Sequence, residues 1–389
     1  MAAPKPNIGA LDADIAFPPG PEDTVSALRW SPKADHVAAS AWDGRVYIYD
    51  ATNVAGGTGS IRPITAMNNN LHPFLDCDFN QVRTSTDVDG DMWRKQICVN
   101  IYKLEGNMIA GASTDGKVHI MDLNAPGQTM TLSGHQAPVR TVRWVDLPCA
   151  GNSTGLLVSG SWDKTLRFWD KRQPNPIATV NLTDRVWAMD GSGTTLVAGT
   201  ADNKIHIFNL GKMTQSSAIR PTMVIDSPLV DQQIRCIAVK HGGQYWAVGG
   251  IGGRVAFGAT QPNPMKSGVT FSFKCHREVS KESSKVTNVY AVNDLAFANY
   301  IAHQNGSRAR IVMATAGQDG QVMVWNVTKK TRLISYPSPR GSITACGFNW
   351  DATMFAYAVG YDWGMGCAYN TPNYPRGLAL RRVNYSWFA

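Results

Sequence analysis

Four groups of residues in this sequence could do chemistry. Gly151 to Gly155 reads Gly-Asn-Ser-Thr-Gly, the form in which a serine hydrolase presents its nucleophile. That form works only at a strand-to-helix elbow, whereas this run lies in a loop behind a β-strand. Cys275 beside His276 offers a thiol and a base, but neighbours in an extended chain leave by opposite faces. Asp87, Asp89, Gly90 and Asp91 copy the start of a calcium loop, yet the twelfth position is Cys98 and not a bidentate Glu. No P-loop, HExxH run or dinucleotide-binding glycine turn is present. Catalysis is not expected, and neither is a metal or a cofactor. The fourth group is of another kind: Lys329, Lys330 and Arg332 follow Trp325, and cations beside an aromatic ring are the minimum for binding single-stranded nucleic acid.

The bulk properties fit a binding protein. The chain has 389 residues, 43% hydrophobic and 17% charged, enough for a large core. No run of about 18 apolar residues spans a bilayer, so membrane insertion is not expected, and Met1 to Phe17 has no secretory pattern. The seven cysteines are scattered and never spaced as Cys-x-x-Cys, which suits buried thiols in a reducing compartment. The net charge of +8 is localised. Between Lys266 and Arg340, eleven Lys and Arg stand against Glu278, Glu282, Asp294 and Asp319, a balance of +7. Such a sector attracts nucleic acid or acidic peptides.

The elements that position these groups come from one line written repeatedly. It reads SAWDGRVYIYD (40–50), ASTDGKVHIMD (112–122), GSWDKTLRFWD (160–170), GTADNKIHIFN (199–209), GGIGGRVAFGA (249–259) and AGQDGQVMVWN (316–326). A degenerate seventh copy is AVGYDWGMGCAYN, 358–370. Each is strand, tight turn, strand, because Asp-Gly, Asp-Asn and Gly-Gly tolerate the positive φ of two-residue hairpins. An alternating segment lies upstream of each copy and another downstream. Four short antiparallel strands repeated seven times make a propeller, an all-β single domain over 1–389. Asp14 to Phe17 have no partner of their own and are expected to close the ring as the outer strand of blade 7, removing two exposed edges.

The repeat resembles the WD-repeat family over essentially the whole chain. The resemblance implies that His135, Ser159, Asp163 and Trp169 form a hydrogen-bonded structural tetrad in blade 3. Trp42, Trp162 and Trp325 are expected to combine packing with surface roles. HPFLDCDF (72–79), IRCIAV (234–239), FSFKCHR (271–277), VYAVNDLAF (289–297) and FAYAVGYDW (355–363) are similar to the nuclear-pore-associated mRNA export factors, whose paralogue is the mitotic checkpoint propeller. Members of that family hold the GLEBS motif, an acidic hairpin of an FG-repeat nucleoporin. The resemblance places that groove at Arg235, Arg254, Phe273 and Lys274, with guanidiniums offering paired donors to glutamates. It also implies that Trp325, Lys329, Lys330 and Arg332 take single-stranded RNA or a viral mimic of it. The expected function is thus a non-catalytic scaffold for mRNA export at the nuclear pore and nuclear rim, with no small-molecule substrate.

Two rival readings accompany it: the checkpoint paralogue, and a substrate receptor of a cullin-RING ubiquitin ligase, whose WDxR signature fits Trp169 to Arg172. The chain also departs from the family. Gln81 to Gly106 is a long inserted loop, 376–389 is an atypical tail, and Gly252 stands where the family often has Glu.

Overall fold

The computed structural model describes residues 14–55, 59–69, 71–80, 106–146, 155–212, 218–261, 270–280, 283, 285–298, 310–336 and 341–383. Gly151 to Thr154, the calcium-like fragment at 87–91 and nearly all of the 81–106 insertion lie outside the described residues. So do Lys266, Lys281, Arg308 and Arg340 of the basic sector.

The strands form seven four-stranded antiparallel sheets, each starting on an inner strand and stepping outward. Blade 1 runs through Val25–Trp30, His36–Ala41, Arg45–Asp50 and Arg62–Asn68. Blade 3 runs through Val139–Val145, Leu156–Ser161, Thr165–Trp169 and Ala178–Asn181. Blades 2 and 4 fill the interval and the next, with inner strands Phe74–Phe79 and Val186–Ser192. Blade 5 comprises Ile234–Val239, Tyr245–Gly250, Arg254–Ala259 and Phe271–Lys274, and blade 6 Val292–Phe297, Val312–Gly317, Val322–Asn326 and Thr331–Tyr336. The inner strands pack one against the next around the circle, that of blade 7 against that of blade 1. The turns obey the chemistry read from the repeat: Gly44 (φ 80°), Asn203 (φ 60°) and Gly253 (φ 59°) all take the left-handed region.

Blade 7 is closed from both directions. Its strands are Ile343–Phe348, Met354–Val359, Gly377–Arg382 and, outermost, Ile15–Ala16, with Ile15 opposite Leu380. Asp14 is sealed beneath this edge, accepting from Tyr357 Oη at 2.6 Å and pairing with the Arg381 guanidinium. The closing strand lies where the unpartnered Asp14 to Phe17 segment was expected to add. The third strand differs from expectation. Residues 358–370 supply only the end of the second strand, and the third comes from the tail, at Gly377–Arg382. The reason is local: Tyr361 to Asn370 carries no tight two-residue turn, so the chain makes a long excursion before re-entering the sheet.

Every inner strand carries a β-bulge near its start, seen as a register shift against the second strand. The extra residues are Ser26, Leu75, Arg140, Trp187, Arg235, Asn293 and Thr344, one per blade, and all seven face the axis at the face we term upper. Below them a charged belt lines the axis. Arg143 Nε lies 2.7 Å from Asp190 Oδ1, its Nη1 pairs with Asp76, and Arg29 approaches Asp76 at 3.8 Å. Inner-strand carboxylates also tie blades 2 to 3, 4 to 5 and 6 to 7: Asp78 accepts from Trp144 N (2.9 Å), Asp190 from Val239 N (2.7 Å) and Asp294 from Cys346 N (2.9 Å). Burial pushes Asp78 well above the usual carboxylate range and Asp76 up to about 6. These groups form the axle of the disc, bonded to one another and to the backbone within the fold.

Candidate partner-binding surface

The tetrad residues come first because they hold the outer strands still. His135 Nδ1 lies 2.8 Å from Asp163 Oδ2 and its Nε2 lies 2.7 Å from Ser159 Oγ, to which Trp169 Nε1 donates at 2.7 Å. All four therefore meet in blade 3, with Trp169 fully buried. Burial holds His135 below the ordinary imidazole value, against the pull of Asp163. Hydrogen bonds from His135 and Thr165 outweigh burial and keep Asp163 below the usual carboxylate range.

Blade 6 carries a second quartet that the sequence reading missed. His276 Nδ1 lies 2.8 Å from Asp319 Oδ1 and its Nε2 lies 2.9 Å from Thr315 Oγ1, to which Trp325 Nε1 donates at 3.1 Å. His276 is thus a framework residue, unsuited to act as a base for Cys275. The signal was available: Thr315, Asp319 and Trp325 repeat the spacing of Ser159, Asp163 and Trp169. Threonine in place of serine concealed it.

The expected GLEBS residues divide. Arg254 and Lys274 are direct register partners on the third and outer strands of blade 5, so their side chains share a face. Phe273 and Lys274 are consecutive in an extended strand, and Phe273 therefore leaves by the opposite face. Arg235 sits on the inner strand of the same blade, with its guanidinium turned inward to Asp362 of blade 7, Nη2 to the carbonyl at 3.0 Å and to Oδ2 at 3.9 Å. At Gly252 the place of a Cβ is filled by the Gln232 side chain, 2.3 Å away. Arg277 holds the turn, donating from Nη2 to Gly252 O at 2.8 Å.

Phe273 instead joins the expected nucleic-acid residues. Its ring centroid lies 4.6 Å from that of Trp325 and 6.3 Å from that of Phe271. Lys330 Nζ stands 4.4 Å from the Phe271 centroid. Arg332 is exposed and lies across the sheet from Trp325 as its register partner. Lys329 and Lys330 occupy the exposed turn between the third and outer strands of blade 6, with Lys330 at φ 57°. Trp325 is half-buried and its indole N–H is committed to the quartet, so it offers this patch its ring and no donor. Three aromatic rings thus lie at the seam of blades 5 and 6, with Lys330 over one of them and Lys329 and Arg332 exposed nearby in the chain.

The WDKR run places Trp169 in the core and joins Arg172 Nη2 to Asp170 Oδ2 at 2.6 Å. No group of three or more metal-ligating side chains occurs among the described residues, and none of their helices is long and apolar enough to cross a membrane.

Residues 15–50 and 127–170 match the family described as "WD domain, G-beta repeat". Among curated proteins, "WD40 repeat protein poxJ" of Penicillium oxalicum is 36% identical over 380 residues, 97% of this chain and 96% of the relative. "mRNA export factor GLE2" of Chaetomium thermophilum is 33% identical over 380 residues, 97% and 92% of the two chains. "Protein Rae1" of Drosophila melanogaster is 34% identical over 377 residues, 95% and 93%. The chain belongs to the WD-repeat mRNA export factors. Among the described residues, blades 3 and 6 have complete quartets that clasp their strands. Blade 2 has a variant in which Asn69 Nδ2 reaches Ser113 Oγ at 2.9 Å and His119 Nε2 at 3.2 Å. This mRNA export factor family member therefore holds its blades by the same device in different chemical forms.

Proposed function

We propose that the chain is a non-catalytic docking platform of mRNA export, resident in the nucleus and at nuclear pores, which grips two partners at neighbouring places. On its upper face the cationic pair Arg254 and Lys274, with Arg235 further in, receives the acidic GLEBS hairpin of an FG-repeat nucleoporin. A guanidinium and an ammonium side by side on one sheet face match the paired glutamates of such a hairpin. At the blade 5–6 seam, Lys329, Lys330 and Arg332 draw in single-stranded RNA and the rings of Phe271, Phe273 and Trp325 stack on it. The observation that carries the reading is the meeting of Phe273 and Trp325 at 4.6 Å beside Phe271, the ring that Lys330 covers, because it builds a cation-and-aromatic surface from segments far apart in sequence. Its relatives' names, export factors in several organisms, support the same assignment.

The test is capture on two ligands. Arg254→Glu with Lys274→Glu should abolish capture on a GLEBS peptide and leave single-stranded RNA binding intact; Lys330→Glu with Arg332→Glu should do the reverse. Undiminished binding of either ligand to its own double variant refutes that half of the reading.

A further inference from the structure

The seven bulges leave an axial cavity of about 540 Å³ open at the upper face. Its rim is aromatic on two sides. Trp42 of blade 1 and Trp363 of blade 7 lie 5.4 Å apart, and Trp162 of blade 3 and Trp187 of blade 4 lie 5.9 Å apart across the axis. Deeper in, the lining is cationic. Arg140 donates through Nη1 to Leu75 O at 3.1 Å, and Arg235 reaches Asp362, the one carboxylate among the described lining residues. Burial, and after it the charge of Arg235, hold Arg140 below the ordinary guanidinium value against the pull of Asp76. Two guanidiniums thus stand close together at the base of the cavity, with Asp362 on Arg235 and with Asp76 and Asp294 acting on Arg140 from below.

Four polar atoms on this lining lack a partner: Thr24 Oγ1, Trp162 Nε1, Asn293 Oδ1 and Thr344 Oγ1. Thr24 and Asn293 are at least nine-tenths buried. Unpaired buried groups cost stability, and natural folds keep few of them. Several around the lining of an aromatic, cationic cavity of ligand size indicate a built site.

We propose that the axial cavity binds a nucleoside monophosphate unit, its base between the tryptophan pairs and its phosphate on Arg140 and Arg235. The tryptophans supply stacking faces, which any base satisfies. Two guanidiniums, the Trp162 indole N–H and the hydroxyls of Thr24 and Thr344 form a donor set suited to three phosphate oxygens. The Asn293 carbonyl oxygen is left to accept from a base amino group. A carboxylate, with two oxygens and no ring, would leave the tryptophans and part of that donor set unused. The site is separate from the blade 5–6 seam and shares only Arg235 with the reading above. Its source is either a free nucleotide or the terminal nucleotide of a strand, since both present the same group.

The full chain is titrated with AMP, adenosine and inorganic phosphate, read by quenching of intrinsic tryptophan fluorescence and by calorimetry. AMP should saturate, with adenosine and phosphate each weaker by about tenfold or more. Arg140→Gln should weaken AMP by about ten- to a hundredfold. Thr344→Val should weaken it severalfold while leaving Tm no lower, because it removes a hydroxyl that has no partner in the fold. Lys330→Glu should leave AMP binding unchanged, which separates this site from the seam. Competition with AMP by a 5′-phosphorylated oligonucleotide identifies a strand end as the source, and its failure to compete identifies the free nucleotide. The proposal is overturned if AMP does not saturate at millimolar concentration or if Arg140→Gln binds it equally well. It is also overturned if an acidic peptide, and not AMP, fills the cavity in an Arg140-dependent way.

Discussion

Blades 3 and 6 contain the same quartet of imidazole, carboxylate, hydroxyl and indole, yet they use it differently. In blade 3 the indole is sealed: Trp169 is fully buried. In blade 6 it is half-buried, and its ring faces Phe273, whose neighbour Phe271 carries Lys330 over its own ring. What separates them is the neighbour. The outer strand of blade 5 brings Phe271 and Phe273 to the seam, and they hold the Trp325 ring at the surface while its N–H stays tied inside. A structural residue can therefore double as a recognition residue when one edge is clamped and the other is left open.

Substituting the two tryptophans should break the comparison most sharply. Trp169→Ala should cost ~3–5 kcal/mol, as expected for emptying a fully buried indole site, and should leave RNA binding of the folded fraction unchanged. Trp325→Ala should cost less stability in urea denaturation but remove RNA binding by ~1–3 kcal/mol, the worth of one stacked base. Equal losses of binding in the two variants would end the distinction.

Two smaller effects refine it. Lys330→Glu with Arg332→Glu should leave the melting temperature within a degree or two and reduce the salt slope of RNA binding by about 1.4, the share of two phosphate contacts on a single strand. Trp325→Phe keeps a ring but deletes the donor to Thr315, so it should cost ~1 kcal/mol of stability with binding largely kept.

The smallest is a pH effect. His135 sits below its ordinary value in the fold, so its neutral form is favoured and its contribution is complete above the imidazole range. That contribution falls as pH drops from about 6.5 toward the lowered folded value. Asp163, also depressed, loses its contribution further down, below about pH 4. His135→Gln should therefore flatten the first part of the acid limb of a stability–pH curve. An unchanged limb would show that other groups govern it.

Much of this was legible because turn chemistry is local. Asp-Gly, Asp-Asn, Asp-Lys or Gly-Gly at a fixed place in a repeated line locates six hairpins, and the unpartnered segment before Val25 located the closing strand. Three things were not legible, each for a physical reason. The third strand of blade 7 could not be placed because residues 360–376 carry no turn signature to mark where the chain re-enters the sheet. The blade 6 quartet was hidden by Thr315 and by the adjacency of Cys275 and His276, which suggested reactivity in place of clasping. The axial cavity was invisible because a bulge is an event between two strands and leaves no mark on either strand alone. The bulge likewise turns Arg235 toward the axis, apart from Arg254. Strand alternation sends Phe273 to the face opposite Lys274, and a family resemblance carries residue positions without that geometry.

The pairing of Asp14 with Arg381 spans 367 positions of the chain. The outermost strand of blade 7 must therefore wait unpaired until the residues around Leu380 have been made, and only then can the ring lock. A chain cut short before that point would be an open arc with two bare sheet margins.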